Sequence, residues 1–181
     1  KESDMSVVPN AAPPVTDDER ALIRTQIGRE PEGLVGIAAR SPSGTPLVLQ
    51  MRSLVGKVPF PTLYWLSSKE LGKAIGQIEG KGFVKDVEQR LQHDEALREA
   101  YLANQRDYVQ ARWELMLPED KAQIEALGFT EMFTRYGIGG ISQWDKVRCL
   151  HMQYAHHLVA GNVIGELMDQ EFALNERDYL L

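Results

Sequence analysis

One cysteine, Cys149, stands in 181 residues. An internal disulfide is therefore impossible, and a lone free thiol points to a reducing compartment. Apolar residues never run to the roughly 18 that a membrane helix needs. The N-terminal stretch lacks an apolar core of the secretory type, so no export signal is expected. Basic excess is missing too. Twenty Lys and Arg face 26 Asp and Glu, a formal charge of −6 with pI near 5.3, which argues against a general nucleic-acid binder. HExxH, paired CxxC, Walker A and GxGxxG are all absent, so no metal or cofactor is expected from motifs. Internal repeats and low-complexity tracts are absent as well. These absences leave a cytoplasmic protein with no membrane or nucleic-acid partner.

What is present suffices for one domain. Hydrophobic residues make up 43% of the chain, ample for a core at this length. Residues 1–15 carry Pro9, Pro13 and Pro14 and no apolar periodicity, and read as a flexible arm. Thr16-Asp-Asp-Glu19 has the form of a capping box, opening a helix that stops near Gly28. Three apolar runs of strand length follow, Leu34 to Ala39, Pro46 to Met51 and Phe60 to Leu66. Ser41-Pro-Ser-Gly-Thr45 suits a hairpin turn, and Pro61 weakens the start of the third strand. The remainder reads as helix, with caps at Ser67-Ser-Lys-Glu70 and Asp94 and with Pro118 at a first helical position. One helix, a strand cluster and then helices predict an α+β fold, a small antiparallel sheet of about three strands packed by several helices. The domain is expected over 16–167, with 168–181 an acidic tail or a docking segment.

The chemistry is concentrated in Lys146-Val-Arg-Cys-Leu-His-Met-Gln-Tyr-Ala-His-His-Leu158, which holds the cysteine and three of the four histidines. The fourth, His93, precedes the Asp94 cap. A last long helix is predicted from about Gln143 to Ala160, capped by Ser142. On such a helix Val147, Leu150, Tyr154 and Leu158 form the apolar stripe. Cys149 and His151 would then point about 160° apart, and Cys149 and His156 would lie about 10 Å apart along the axis. Cys149 and His156 cannot easily share one ion, and Cys149 and His151 can do so only across a break in the helix, so no metal site is expected. Cys149 is then either a small buried hydrophobe or a nucleophile, and His151 an acid/base candidate.

The turn Gly137-Ile-Gly-Gly140 lies just before this stretch and is followed by Lys146 and Arg148. Glycine lets amides approach an anion, and basic side chains add charge-assisted contacts. The turn also serves as a sharp connection between helices. Where the sheet meets this turn, the ligand-binding candidates are Arg40, Thr62, Tyr64, Lys146, Arg148 and His151.

Several segments together resemble a bacterial family, domain of unknown function 501 (DUF501). They are Gly33-Leu-Val-Gly-Ile-Ala-Ala-Arg40, Pro59-Phe-Pro-Thr-Leu-Tyr-Trp-Leu66, Gly137-Ile-Gly-Gly-Ile141, Lys146-Val-Arg-Cys-Leu-His151 with Tyr154-Ala-His156, and Asn162-Val-Ile-Gly-Glu166. The resemblance implies no particular activity. It does imply thiols at the places held here by Ser41, Ser43 and Ser68, beside that of Cys149. Such a set would suit zinc or an iron–sulfur cluster. With serine at three of the four places, the resemblance implies that this chain has lost any such metal and keeps a polar cluster of Ser41, Ser43, Ser68, Cys149 and His151.

Three functions follow as expectations. The first is binding of a small anionic ligand at the Gly-rich turn and last helix. The second is an enzyme using His151 as acid/base or Cys149 as nucleophile. The third is a non-catalytic protein-interaction module.

Overall fold

A computed structural model describes residues 13–181. The predicted arm therefore lies outside the described residues over 1–12, while Val15 already packs beside Ile23. Helix α1, Asp17–Ile27, starts at the predicted capping box: Thr16 Oγ1 accepts from the Glu19 amide, and Glu19 Oε1 accepts from the Thr16 amide. Three strands follow as an antiparallel sheet, β1 (Leu34–Arg40), β2 (Pro46–Met51) and β5 (Tyr64–Leu66), in the order β1-β2-β5. A separate two-stranded hairpin, β3 (Leu54–Val55) with β4 (Val58–Pro59), lies between β2 and β5 in sequence. Gly44 supplies the positive φ, 96°, that the β1–β2 turn requires.

The central strand β2 is buried on both faces. Its side chains alternate. Leu49 and Met51 pack with Ile23 of α1, whereas Val48 faces the main helical core. That core is built by α2 (Lys69–Gly80), α3 (Phe83–His93), α4 (Glu95–Glu114), α7 (Leu150–Ala160) and α8 (Val163–Phe172). Helices α5 (Pro118–Leu127) and α6 (Thr130–Arg135) close a smaller cluster around Ile124 and Phe133. The α+β architecture is the predicted one. Among the described residues no helix is long and apolar enough to cross a membrane.

Three elements differ from the sequence reading, each for a physical reason. The third strand pairs only from Tyr64, not Phe60, because prolines 59 and 61 cannot donate to a ladder. The Pro61 carbonyl is instead taken by Arg112 Nη1 at 2.9 Å.

The last helix begins at Leu150 rather than Gln143. Backbone groups between 138 and 147 are claimed from outside by α3 and α4. Gln105 Oε1 accepts from the Ile138 amide at 2.7 Å, Tyr101 donates to the Lys146 carbonyl at 2.6 Å, and Glu88 Oε1 accepts from the Val147 amide at 3.0 Å. These side chains outbid a helical turn there, so residues 141–149 stay irregular up to Cys149.

The segment 168–181, read as an acidic tail or a docking segment, begins inside α8 and is packed. Met168, Leu174 and Tyr179 are buried in the main core. Ser68 Oγ donates to the Leu181 carbonyl at 2.7 Å, and Ser43 donates to Asp178.

Candidate functional site

Cys149 is the N-cap residue of α7, in extended conformation with φ −133° and ψ 113°. His151 lies in the first helical turn. Because the helix starts between them, the angle that would separate them on a continuous helix does not apply, and both side chains reach the same place. Gly139 turns the chain here through a positive φ. Its φ is 78°, and a Cβ there would stand 3.6 Å from both the Cys149 nitrogen and its Cβ, so the glycine turn packs straight against the segment entering α7.

Helix α2 supplies the other wall. Gly72 and Glu79 are two turns apart and face α7. The His151 Nε2 lies 2.9 Å from the Gly72 carbonyl, and its Nδ1 lies 2.5 Å from Glu79 Oε1. Both oxygens can only accept, so both ring nitrogens donate and the ring is held as imidazolium. Hydrogen bonding to Cys149 is the largest influence on His151; with the Gly72 carbonyl and Glu79 it outweighs burial and pushes the pKa up to about 9. Burial alone would raise the Cys149 thiol, but His151 and the Met152 amide outweigh it and the thiol moves below its ordinary value. The donor atoms of Glu79, Cys149 and His151 all lie within 4.8 Å of one another, and among the described residues this is the group able to hold a metal ion.

Beside Cys149 and His151 opens a cavity of about 340 Å³ lined by Phe60, Thr62, Trp65, Leu66, Gly72, Cys149, His151 and Met152, with Glu79 reaching His151 from outside this lining. Its walls are mainly apolar. Phe60 and Trp65, stacked with ring centroids 5.8 Å apart, also line a second cavity of about 370 Å³ toward α1. There the Arg29 guanidinium lies 4.9 Å from the centre of the Trp65 ring. The larger cavity holds no cysteine or histidine.

Of the residues singled out from sequence, Thr62, Cys149 and His151 meet in this cavity. Arg40 does not join them; it pairs with Glu19 of α1 and donates to the Gly44 carbonyl. Tyr64 is buried and stacks on His156, with centroids 6.5 Å apart. Lys146 is held by its carbonyl, which accepts from Tyr101, and Arg148 is exposed beside Gly139. The histidines His156 and His157 turn away into the core. His156 contacts Asn162, and His157 contacts Asp169 and the Asn162 amide.

The polar cluster of three serines with Cys149 and His151 is divided between two sets of partners. Ser41 and Ser43 bond each other, Ser43 and Ser68 bond the C-terminal segment, and His151 turns to α2. Sequence reading missed Glu79, Gly72, Trp65 and Met152. Glu79 did carry a signal: with Leu71, Ile75 and Ile78 it completes an i, i+4, i+7, i+8 stripe. A carboxylate in an apolar stripe marks a position where charge is needed.

No curated protein and no solved structure matches the chain. The family described as Protein of unknown function (DUF501) matches residues 37–170, a span that contains all of the cavity and Glu79. The chain belongs to this DUF501 family.

Proposed function

We propose that the chain is an enzyme acting on a small, largely apolar molecule held in the cavity at the start of α7. The observation that carries this reading is convergence: Cys149 and His151, the latter paired with Glu79, form the reactive floor of a cavity otherwise walled by Phe60, Trp65, Leu66 and Met152. Such a division, an apolar wall with a few placed polar groups, is what small-molecule sites use. The walls hold the body of the substrate, the Thr62 hydroxyl orients its polar end, and the floor acts on that end. A lone thiol in such a floor suits a reducing, cytoplasmic setting. The ligand differs from the anion expected from sequence, because Arg40 lies elsewhere and neither Lys146 nor Arg148 lines the cavity.

Cys149 is the one thiol in the chain, so alkylation reports on this site alone. On chelator-treated protein, an apolar amide such as phenylacetamide slows alkylation by iodoacetamide in a saturable manner, while acetamide at equal concentration does not. Thr62→Trp, which fills the cavity, removes the protection. Equal alkylation rates with both amides, in wild type and variant alike, would refute occupancy of the cavity by an apolar ligand.

A further inference from the structure

We propose that Glu79, Cys149 and His151 bind one zinc ion, with its fourth coordination position open to the cavity. This deepens the reading of the cavity as an active site and rests on it for the ion's role, though not for its binding.

Distance comes first. Three donor atoms within 4.8 Å of one another need shifts of under about 1.5 Å to surround an ion at the usual 2.0–2.3 Å. The histidine gives the second argument. Ligating histidines donate their other ring N–H to a carbonyl or carboxylate, which fixes the ring and directs the free nitrogen at the metal. His151 has this arrangement: Nε2 donates to the Gly72 carbonyl, and Nδ1 faces Glu79 within reach of Cys149. The proton between Nδ1 and Glu79 Oε1 stands where a cation would sit.

Donor chemistry selects the metal. Thiolate, imidazole and carboxylate together suit zinc, whereas magnesium and calcium prefer oxygen alone and iron–sulfur clusters need more thiolates. Charge agrees. One thiolate and one carboxylate neutralise a divalent ion, so the loaded site presents no net charge to an apolar cavity.

The ligand count indicates the role. Structural zinc sites are closed by four protein ligands, and sites with three leave a position for water or substrate. Two of the three ligands, Cys149 and His151, line the cavity together with Thr62, Phe60 and Trp65, so an open position on that side would face them. The ligand class is therefore a neutral oxygen donor, water or the carbonyl of an apolar amide or ester. Sequence reading expected no metal partly because it placed Cys149 and His151 on one continuous helix, an objection the break at Cys149 removes; its other ground, serine at 41, 43 and 68, concerns places outside this ligand set.

The test uses the full chain, stripped with a chelator and titrated with zinc against a chromophoric competitor. One ion per chain is expected. Cobalt in its place should give a thiolate charge-transfer band and the visible bands of a tetrahedral site. Cys149→Ser should abolish the charge-transfer band, and Glu79→Gln and His151→Gln should each weaken zinc binding by about tenfold or more. Thermal melts identify any variant that fails to fold. A second measurement needs no variant: stoichiometric zinc should slow alkylation of Cys149. Absence of stoichiometric uptake, undiminished binding by Cys149→Ser, or alkylation indifferent to zinc would each overturn the proposal. Protection by phenylacetamide on the stripped protein would survive such a result, so the two readings fail separately.

Discussion

Arg112 offers a sharp test of how the segment carrying Phe60 and Thr62 is held. It is 1% exposed, and no carboxylate pairs with it among the described residues. Its guanidinium bonds three carbonyls instead, Pro61 at 2.9 Å, Phe133 at 2.8 Å and Tyr136 at 2.6 Å, and it lies over the rings of Tyr108 and Phe133. Hydrogen bonds to a charged group contribute about 1.5–3 kcal/mol each, so three give a gross gain of roughly 5–9 kcal/mol. Burying the charge costs several kcal/mol. Arg112→Met relieves that cost but takes the guanidinium away from three carbonyls, leaving that of Pro61 only the Tyr108 hydroxyl at 3.5 Å. The balance should be a loss of about 3 kcal/mol, or a fall of roughly 6–12 °C in Tm for a chain of this size. Arg112→Lys should not restore stability, because a single ammonium cannot span three carbonyls as a planar fork does. Urea unfolding of wild type and both variants gives the result. A methionine variant as stable as wild type would show that the carbonyls find other partners and that the buried charge was a net burden.

Two more outcomes follow from the same geometry. Gly139→Ala should lose about 1–2 kcal/mol, because its φ of 78° is strained for an L side chain even though the Cβ finds room; unchanged stability in a urea melt would contradict the assigned turn. His156 is buried between Tyr64 and Tyr108, bonded to Asn162, with Asp107 and His157 as its charged neighbours. Burial pushes its pKa down to about 4. The unfolded chain therefore takes up this proton first as pH falls. The stability tied to neutral His156 is fully present above about pH 6.5 and should fall by about 3 kcal/mol as pH drops toward 4. His156→Gln should lose that part of the pH slope, and parallel slopes for the two proteins would refute it.

Local signals carried most of the fold. The Thr16 capping box, the Gly44 turn, Asp94 as N-cap and Pro118 at a helix start all act within four residues, so a sequence displays them whole. The failures share a cause of the opposite kind. Residues 143–148 have no local reason to refuse a helix. They refuse because Tyr101, Gln105 and Glu88, 33 to 59 positions earlier, take their backbone groups and those of the glycine turn. For residues 168–181, read as an acidic tail or a docking segment, Met168, Leu174 and Tyr179 supply the apolar surface that docks.

The candidate site was hidden by that same error. A continuous helix sends Cys149 and His151 to different sides, and the geometric argument against a shared site rested on it. Once Tyr101 and Glu88 hold the approach open, the helix can start only at Leu150, and Cys149 becomes its extended cap. The residues that stop the helix are thus the ones that bring the thiol to the imidazole. The concentration of Cys and His in one stretch located the site; its geometry depended on polar side chains placed on α3 and α4. Tyr101 and Gln105 are buried and Glu88 reaches across, so weakening them should spread the donor atoms of Cys149, His151 and Glu79 before it unfolds the core.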